Sequence, residues 1–293
     1  MARWVLLLLT SIALASCQGE ADEDGKSRDY PALWEITGAE GRTEGWLFGT
    51  VHALPRDLEW QSAKLEEIVE TADMLVVEVS GLDDRLGLEE LFRSLAYDAP
   101  PSVPIYSRLD PLSRDQLRAI EDEQEIESGT FDAMETWGAA LALAEFGRTH
   151  SSEFGADKVL LAKFGNREIV ELEGAALQLS IFDRLPEQEQ RDLLRAIIEV
   201  VAKDPGDRVD LATIWSRGDL SALERTTLEG LLADPELNEA LLVRRNSAWA
   251  AQIENLLSAS DKPLIAVGAG HLLGEGSVQS LLEERGFAIR RIQ

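Results

Sequence analysis

Two short apolar runs that each end in Gly-x-x-His constrain the fold of this chain most. Trp46-Leu47-Phe48 runs into Gly49-Thr50-Val51-His52, and Pro263-Leu264-Ile265-Ala266-Val267 runs into Gly268-Ala269-Gly270-His271. Apolar runs this short, closed by glycine, read as buried strands. The turn after each strand then carries an imidazole just beyond the strand's carboxyl end. In an open α/β sheet that edge collects ligand-binding and catalytic groups. A third run, Met74-Leu75-Val76-Val77, ends at Glu78 and adds a carboxylate. The chain holds only three histidines, so placing two of them in this setting points to one shared metal or acid–base site.

The remaining pattern sets the fold class. Leu33-Trp34-Glu35-Ile36-Thr37, a Gly-rich polar turn and Gly45-Trp46-Leu47-Phe48 read as a β-hairpin. Leu65, Ile68, Val69 and Ala72 have helical spacing and lead into the strand before Glu78. A short strand is expected at Val103 to Tyr106. A helix rich in alanine and leucine is expected from Phe131 to Phe146, then a helix from Asp157 to Phe164. A strand over Glu168 to Leu172 follows with Glu173 at its end, and one long helix spans about Pro235 to Leu257. The expected architecture is α/β: a mixed, largely parallel central sheet flanked by helices, with an N-terminal hairpin and a helix-rich middle.

The first residues are read as targeting rather than fold. Arg3 precedes an apolar stretch too short to span a bilayer, and Leu14-Ala15-Ser16-Cys17 resembles a bacterial lipobox. Residues 1–16 are therefore expected to be a signal peptide, with Cys17 the lipidated first residue. Residues 17–30 form an acidic flexible tether, and 31–293 one domain. Gln18 after Cys17 favours the periplasmic face of the outer membrane in a Gram-negative source. Cys17 is the only cysteine, which rules out an internal disulfide and a Cys-based zinc cluster. The net charge of −26, from 54 acidic and 28 basic residues, excludes a nucleic-acid partner. It also leaves the lipid as the sole membrane contact.

Other residues carry weaker signals. A strand-end Glu173 is a second carboxylate for the site. Arg244-Arg245-Asn246, with Trp249 one turn on, offers arginines for a substrate carboxylate or phosphate, or to orient Glu78. His150, near a helix end, is assigned to the surface. No His-Glu-x-x-His helix, Gly-x-Ser-x-Gly elbow or nucleotide loop occurs.

Leu33-Trp34-Glu35-Ile36, Trp46-Leu47-Phe48-Gly49-Thr50-Val51-His52 and Val76-Val77-Glu78-Val79 resemble the opening of the TraB/GumN family, which includes the Tiki proteins. Gly155-Ala156-Asp157-Lys158 through Val170-Glu171-Leu172-Glu173 and Gln178 fit the same pattern. So do Trp215-Ser216-Arg217-Gly218-Asp219-Leu220, Arg245-Asn246, Trp249 and Val267-Gly268-Ala269-Gly270-His271. The resemblance covers about residues 31–293 and is weakest around 85–130. It implies a domain related to erythromycin esterases and haem-binding lipoproteins. The Tiki branch is described as metal-dependent peptidases, the esterase branch as hydrolases needing a histidine but no metal. Carried over, His52, His271 and Glu78 match the family's proposed site positions, and Arg245 and Glu173 match positions of less defined role. The expectation is a lipid-anchored hydrolase acting on a peptide or small molecule. His52 and His271 would ligate Zn²⁺, Mn²⁺ or Co²⁺, with Glu78 as third ligand or as base toward the bound water that supplies the nucleophile. Two alternatives stand beside it: metal-free hydrolysis with a histidine as base, and haem or metal binding without catalysis.

Overall fold

In a computed structural model that describes residues 29–293 apart from 98, 100–102, 229 and 260, the two Gly-x-x-His runs are neighbouring parallel strands. The strands are β1 (Leu33–Thr37), β2 (Thr43–Thr50), β3 (Met74–Val77), β4 (Glu168–Glu171), β5 (Pro263–Gly268) and β6 (Ala288–Arg291). They form one sheet in the order β4-β3-β5-β2-β1-β6. β4, β3, β5 and β2 run parallel, while β1 is antiparallel to both β2 and β6. β3 and β5 are buried at every position and β2 over its last four, as expected for strands covered on both faces.

This order fixes the site. β5 lies between β3 and β2, with Val77 opposite Ala266 and Thr50 opposite Gly268. The three chains leaving the sheet, toward Glu78, His271 and His52, therefore emerge side by side at one edge.

Among the described residues twelve α-helices accompany the sheet. They are α1 (Ala63–Thr71), α2 (Arg85–Ala96), α3 (Pro111–Glu123), α4 (Thr136–Ala144), α5 (Ala156–Phe164) and α6 (Ala175–Asp183). α7 (Glu187–Val201), α8 (Leu211–Ser216), α9 (Leu220–Leu228), α10 (Pro235–Asn238), α11 (Arg244–Leu257) and α12 (Val278–Glu284) follow. Two apolar cores result. One packs the sheet against Trp60, Trp215, Trp249 and Ile253. The other joins Phe92, Trp137, Phe182, Leu193 and Ile197 within the helical layer.

A single helical run crosses from one core to the other. Leu237, Leu241 and Leu242 face the helical core, while Trp249, Ile253 and Leu257 face the sheet core. Between them, Glu239–Val243 is a π-turn joining α10 to α11. A π-turn inserts extra residues into the helical register, which re-aims the side chains that follow. The long helix expected over 235–257 is thus present, but with this re-aiming turn immediately before Arg244 and Arg245.

Two expected elements differ. Val103 to Tyr106 is not a strand. Pro104 lacks a ladder donor, and a short 3-10 turn at Ile105–Arg108 forms instead, with Asp132 accepting from the Ile105 N–H at 2.8 Å. The helix expected from Phe131 starts only at Thr136. The carbonyls of Asp132 and Met134 accept instead from the buried Arg108 guanidinium, at 2.7 and 2.8 Å. The expected signal peptide, Cys17 and most of the tether lie outside the described residues. No helix among the described residues is long and apolar enough to cross a membrane.

Candidate active site

Glu78 follows β3 and is held from three sides. The Gly268 N–H donates to Oε1 at 2.8 Å, so the second Gly-x-x-His turn itself grips the carboxylate. Gln178 Nε2 and Arg245 Nη2 donate to Oε2 at 3.0 and 2.9 Å. Burial pushes the Glu78 carboxyl above its usual range, against the opposing charges of Arg245 and His52.

Glu173 lies beside Glu78 because the chain after β4 keeps pairing with the chain after β3. The Glu173 and Gly174 N–H groups donate to the Glu78 carbonyl at 3.2 and 2.9 Å. Arg245 Nε and Nη2 bond the two Glu173 oxygens at 2.8 and 2.9 Å in a fork. Trp249 Nε1 adds a third donor at 3.1 Å, and its ring lies 4.7 Å from the Arg245 guanidinium carbon. Arg245 Nη1 donates to the Leu241 carbonyl in the π-turn at 2.9 Å. Burial disfavours the Arg245 charge, but Glu78 and Glu173 outweigh it and raise its affinity for the proton. Of the roles open to Arg245 in the sequence, orienting Glu78 is the one its contacts fit. Arg244 points away and pairs with Glu239 at 3.0 Å on the surface.

His271 is fully buried. Its Nδ1 lies 2.5 Å from Asn246 Oδ1, and Asn246 Nδ2 donates to the Gly276 carbonyl at 2.9 Å. That second bond orients the amide so that its oxygen faces the imidazole, which assigns the proton to Nδ1. Nε2 then carries a lone pair. Among the described residues it has no hydrogen-bond partner, and it lies 4.0 Å from Glu78 Oε1. Burial and the charges of Arg245 and His52 hold His271 well below the usual imidazole range.

His52 is set the opposite way. Its Nδ1 lies 2.5 Å from Asp157 Oδ2, at the start of α5, and Thr50 Oγ1 donates to Asp157 Oδ1 at 2.6 Å. Burial alone would lower His52, but the charge and hydrogen bond of Asp157 raise it above the ordinary imidazole value. Burial likewise works against the Asp157 carboxylate, yet His52 pulls it below its usual range. The His52 side chain keeps 13% of its surface open, whereas His271 has none. His52 is thus on the solvent side of the constellation.

Glycines permit this close assembly. A Cβ at Gly49 would come within 2.9 Å of Ala269 Cβ, so the two Gly-x-x-His turns touch through that gap. A Cβ at Gly155 would collide with the His52 carbonyl, and the next residue's N–H donates to the Val51 carbonyl at 2.9 Å. The Gly49 carbonyl accepts from the Trp215 indole at 2.7 Å.

A sequence model of the TraB/PrgY/gumN family matches residues 32–291, nearly all of the described residues. The chain belongs to the TraB/PrgY/gumN family. No curated protein and no solved structure shows significant similarity to it.

In this TraB/PrgY/gumN protein, the sheet edge brings together His52, Glu78, Glu173, Arg245 and His271. His150 stands apart, near the surface and 3.5 Å from Asp210. Asp157 was not singled out in the sequence as a partner for a histidine. Its sequence signals are its place in the Gly155-Ala156-Asp157-Lys158 segment of the family pattern and its position as an acidic residue opening a helix, which reads equally as helix-terminus chemistry. Asn246 and Gln178 were visible only as parts of longer patterns.

The residues expected to hold a divalent ion are engaged as follows. His52 and His271 each anchor Nδ1 and keep Nε2, as metal ligands do. Glu78, however, already accepts from three donors, one of them a guanidinium whose charge repels a cation. Among the described residues no group of three His, Cys, Asp or Glu side chains has a metal-holding arrangement.

Proposed function

We propose that the protein is a hydrolase whose two sheet-edge histidines divide the proton transfers without a metal. The observation that carries this reading is the opposite anchoring of the imidazoles: His52 on the Asp157 carboxylate, His271 on the neutral Asn246 amide. Paired titratable groups whose surroundings push their pKa values apart mark acid and base. His271, kept neutral, accepts a proton from water at Nε2. Glu78 Oε1, 4.0 Å away, takes a second hydrogen bond from that water and fixes its direction. The water oxygen attacks the substrate's carbonyl carbon. His52, kept protonated by Asp157, gives its Nε2 proton to the leaving group as the carbonyl–leaving-group bond breaks. The proton gained by His271 then returns to His52 through solvent.

His271 Nε2 is shielded from solvent in this structure, so this reading requires the site to open for water and substrate. The exposed rim of His52 marks the side from which they arrive.

The test is hydrolysis of fluorogenic peptide and ester panels by the purified protein. Loss of at least about a hundredfold in both His52→Ala and His271→Ala, with folding intact, supports the reading. Retained turnover in either variant sinks it.

A metallopeptidase is the second reading, favoured by the buried, unpartnered Nε2 of His271. It requires Glu78 to surrender a donor. Haem binding without catalysis would use the same Nε2 and likewise requires the site to open.

A further inference from the structure

A cleft of about 780 Å³ opens on the far side of the Glu173–Arg245 pair, between α6, the start of α7 and the π-turn. This volume is in the range that encloses a small organic ligand. Leu177 and Ile181 lie one turn apart on α6 and form one wall, with Leu185 behind them and Ala240 of the π-turn facing the same space. Leu177 is 48% exposed, so this wall is apolar surface left in water. The charges around it are unbalanced. Arg245 is committed to Glu78 and Glu173, and Arg244 to Glu239. That leaves Arg184 against two carboxylates with no side-chain partner among the described residues, Glu189 and Glu236. Each of these carboxylates sits in a first helical turn, where a negative charge is favoured. One oxygen of Glu189 is also shielded from solvent with no donor among the described residues, so that carboxylate gains from a nearby cation.

We propose that this cleft binds a small amphiphile with an aliphatic tail and a cationic head: the tail on Leu177, Ile181 and Ala240, the head near Glu189 and Glu236. An anion of the same shape meets an uncompensated negative charge there, in a protein whose overall charge is −26. Arg245 lines the cleft and also holds Glu78, so the cleft and the sheet edge share this residue. Binding is read directly, so the proposal stands or falls independently of hydrolysis.

The test titrates the full protein with octylamine, octanol and octanoate, each below its aggregation limit. Binding is followed by calorimetry and by amide NMR shifts at Leu177 and Ala240. Octylamine is expected to bind at least about tenfold tighter than octanoate, with octanol between them. The Glu189→Gln/Glu236→Gln double variant should lose that preference while holding octanol unchanged. Ala240→Phe and Leu177→Asn should each weaken all three probes, with circular dichroism confirming the fold. Octanoate binding equal to or tighter than octylamine overturns the proposal, as does octylamine binding that persists in both wall variants or shifts that map elsewhere.

Discussion

Arg245 Nη2 donates to Glu78 and to Glu173 at 2.9 Å each, so one buried guanidinium ties together carboxylates from two neighbouring strand ends. The π-turn at Glu239–Val243 sets this up. It joins a helix segment buried in one core to a segment buried in the other, and its Leu241 carbonyl takes the remaining Arg245 contact. Arg245→Met would leave two acids buried without their cation. Removing one partner of a buried pair costs about 3–5 kcal/mol, and the measurement is the urea midpoint at pH 7. Arg245→Lys, which cannot form the fork, should recover less than half of that loss.

The His52–Asp157 pair makes stability depend on pH in both directions. His52 is raised, so its contribution is present below the ordinary imidazole value and is lost as pH rises through its folded value. Asp157 is lowered, so its contribution is present above the ordinary aspartate value and is lost as pH falls through its folded value. Asp157→Asn should flatten both limbs of the stability profile, as followed by thermal unfolding across pH.

Activity should show the same pair from another side. The reaction needs His52 protonated and His271 neutral, giving a bell-shaped kcat/KM. Asp157→Asn removes what raises His52 and should move the alkaline limb to lower pH. The acid limb, set by His271, should stay in place. An unmoved alkaline limb would remove His52 from the role of proton donor.

Gly49 tests the contact between the two motifs. Gly49→Ala places a methyl against Ala269, and overpacking of this kind costs about 1–3 kcal/mol. Because the strain falls on the turn carrying His271, hydrolysis should drop more steeply than stability. Equal activity with reduced stability would separate the turns from the chemistry.

The proposed lipid anchor has a simple check. Cys17→Ser should release the protein from the membrane fraction into the soluble envelope fraction, because an acidic body offers no second attachment. Membrane retention in that variant would require another anchor.

The sheet edge was legible in the sequence because glycine-closed apolar runs have few alternative readings. His52 and His271 each follow such a run, Glu78 directly ends a third apolar run, and strand order β3-β5-β2 makes them neighbours. What the sequence did not carry is who holds each imidazole. Asp157 and Asn246 sit on helices, where an acid at a helix start or an amide within an arginine-rich turn has common local explanations. Only the crossing of α5 and α11 over the sheet edge converts them into histidine partners. The displaced start of α4 has the same origin: Arg108 captures the Asp132 and Met134 carbonyls from a distant turn, and local propensity holds no record of that.

The most direct test is a ¹⁵N NMR titration of the imidazoles, made tractable by a chain with three histidines. The account predicts that His52 keeps its Nδ1 proton and becomes fully protonated at a pH above the ordinary imidazole value. It predicts that His271 stays a neutral Nδ1–H tautomer to pH well below that value. Ordinary titration of both histidines, or a His271 protonated before His52 as pH falls, would contradict the division of acid and base on which the proposed hydrolysis rests.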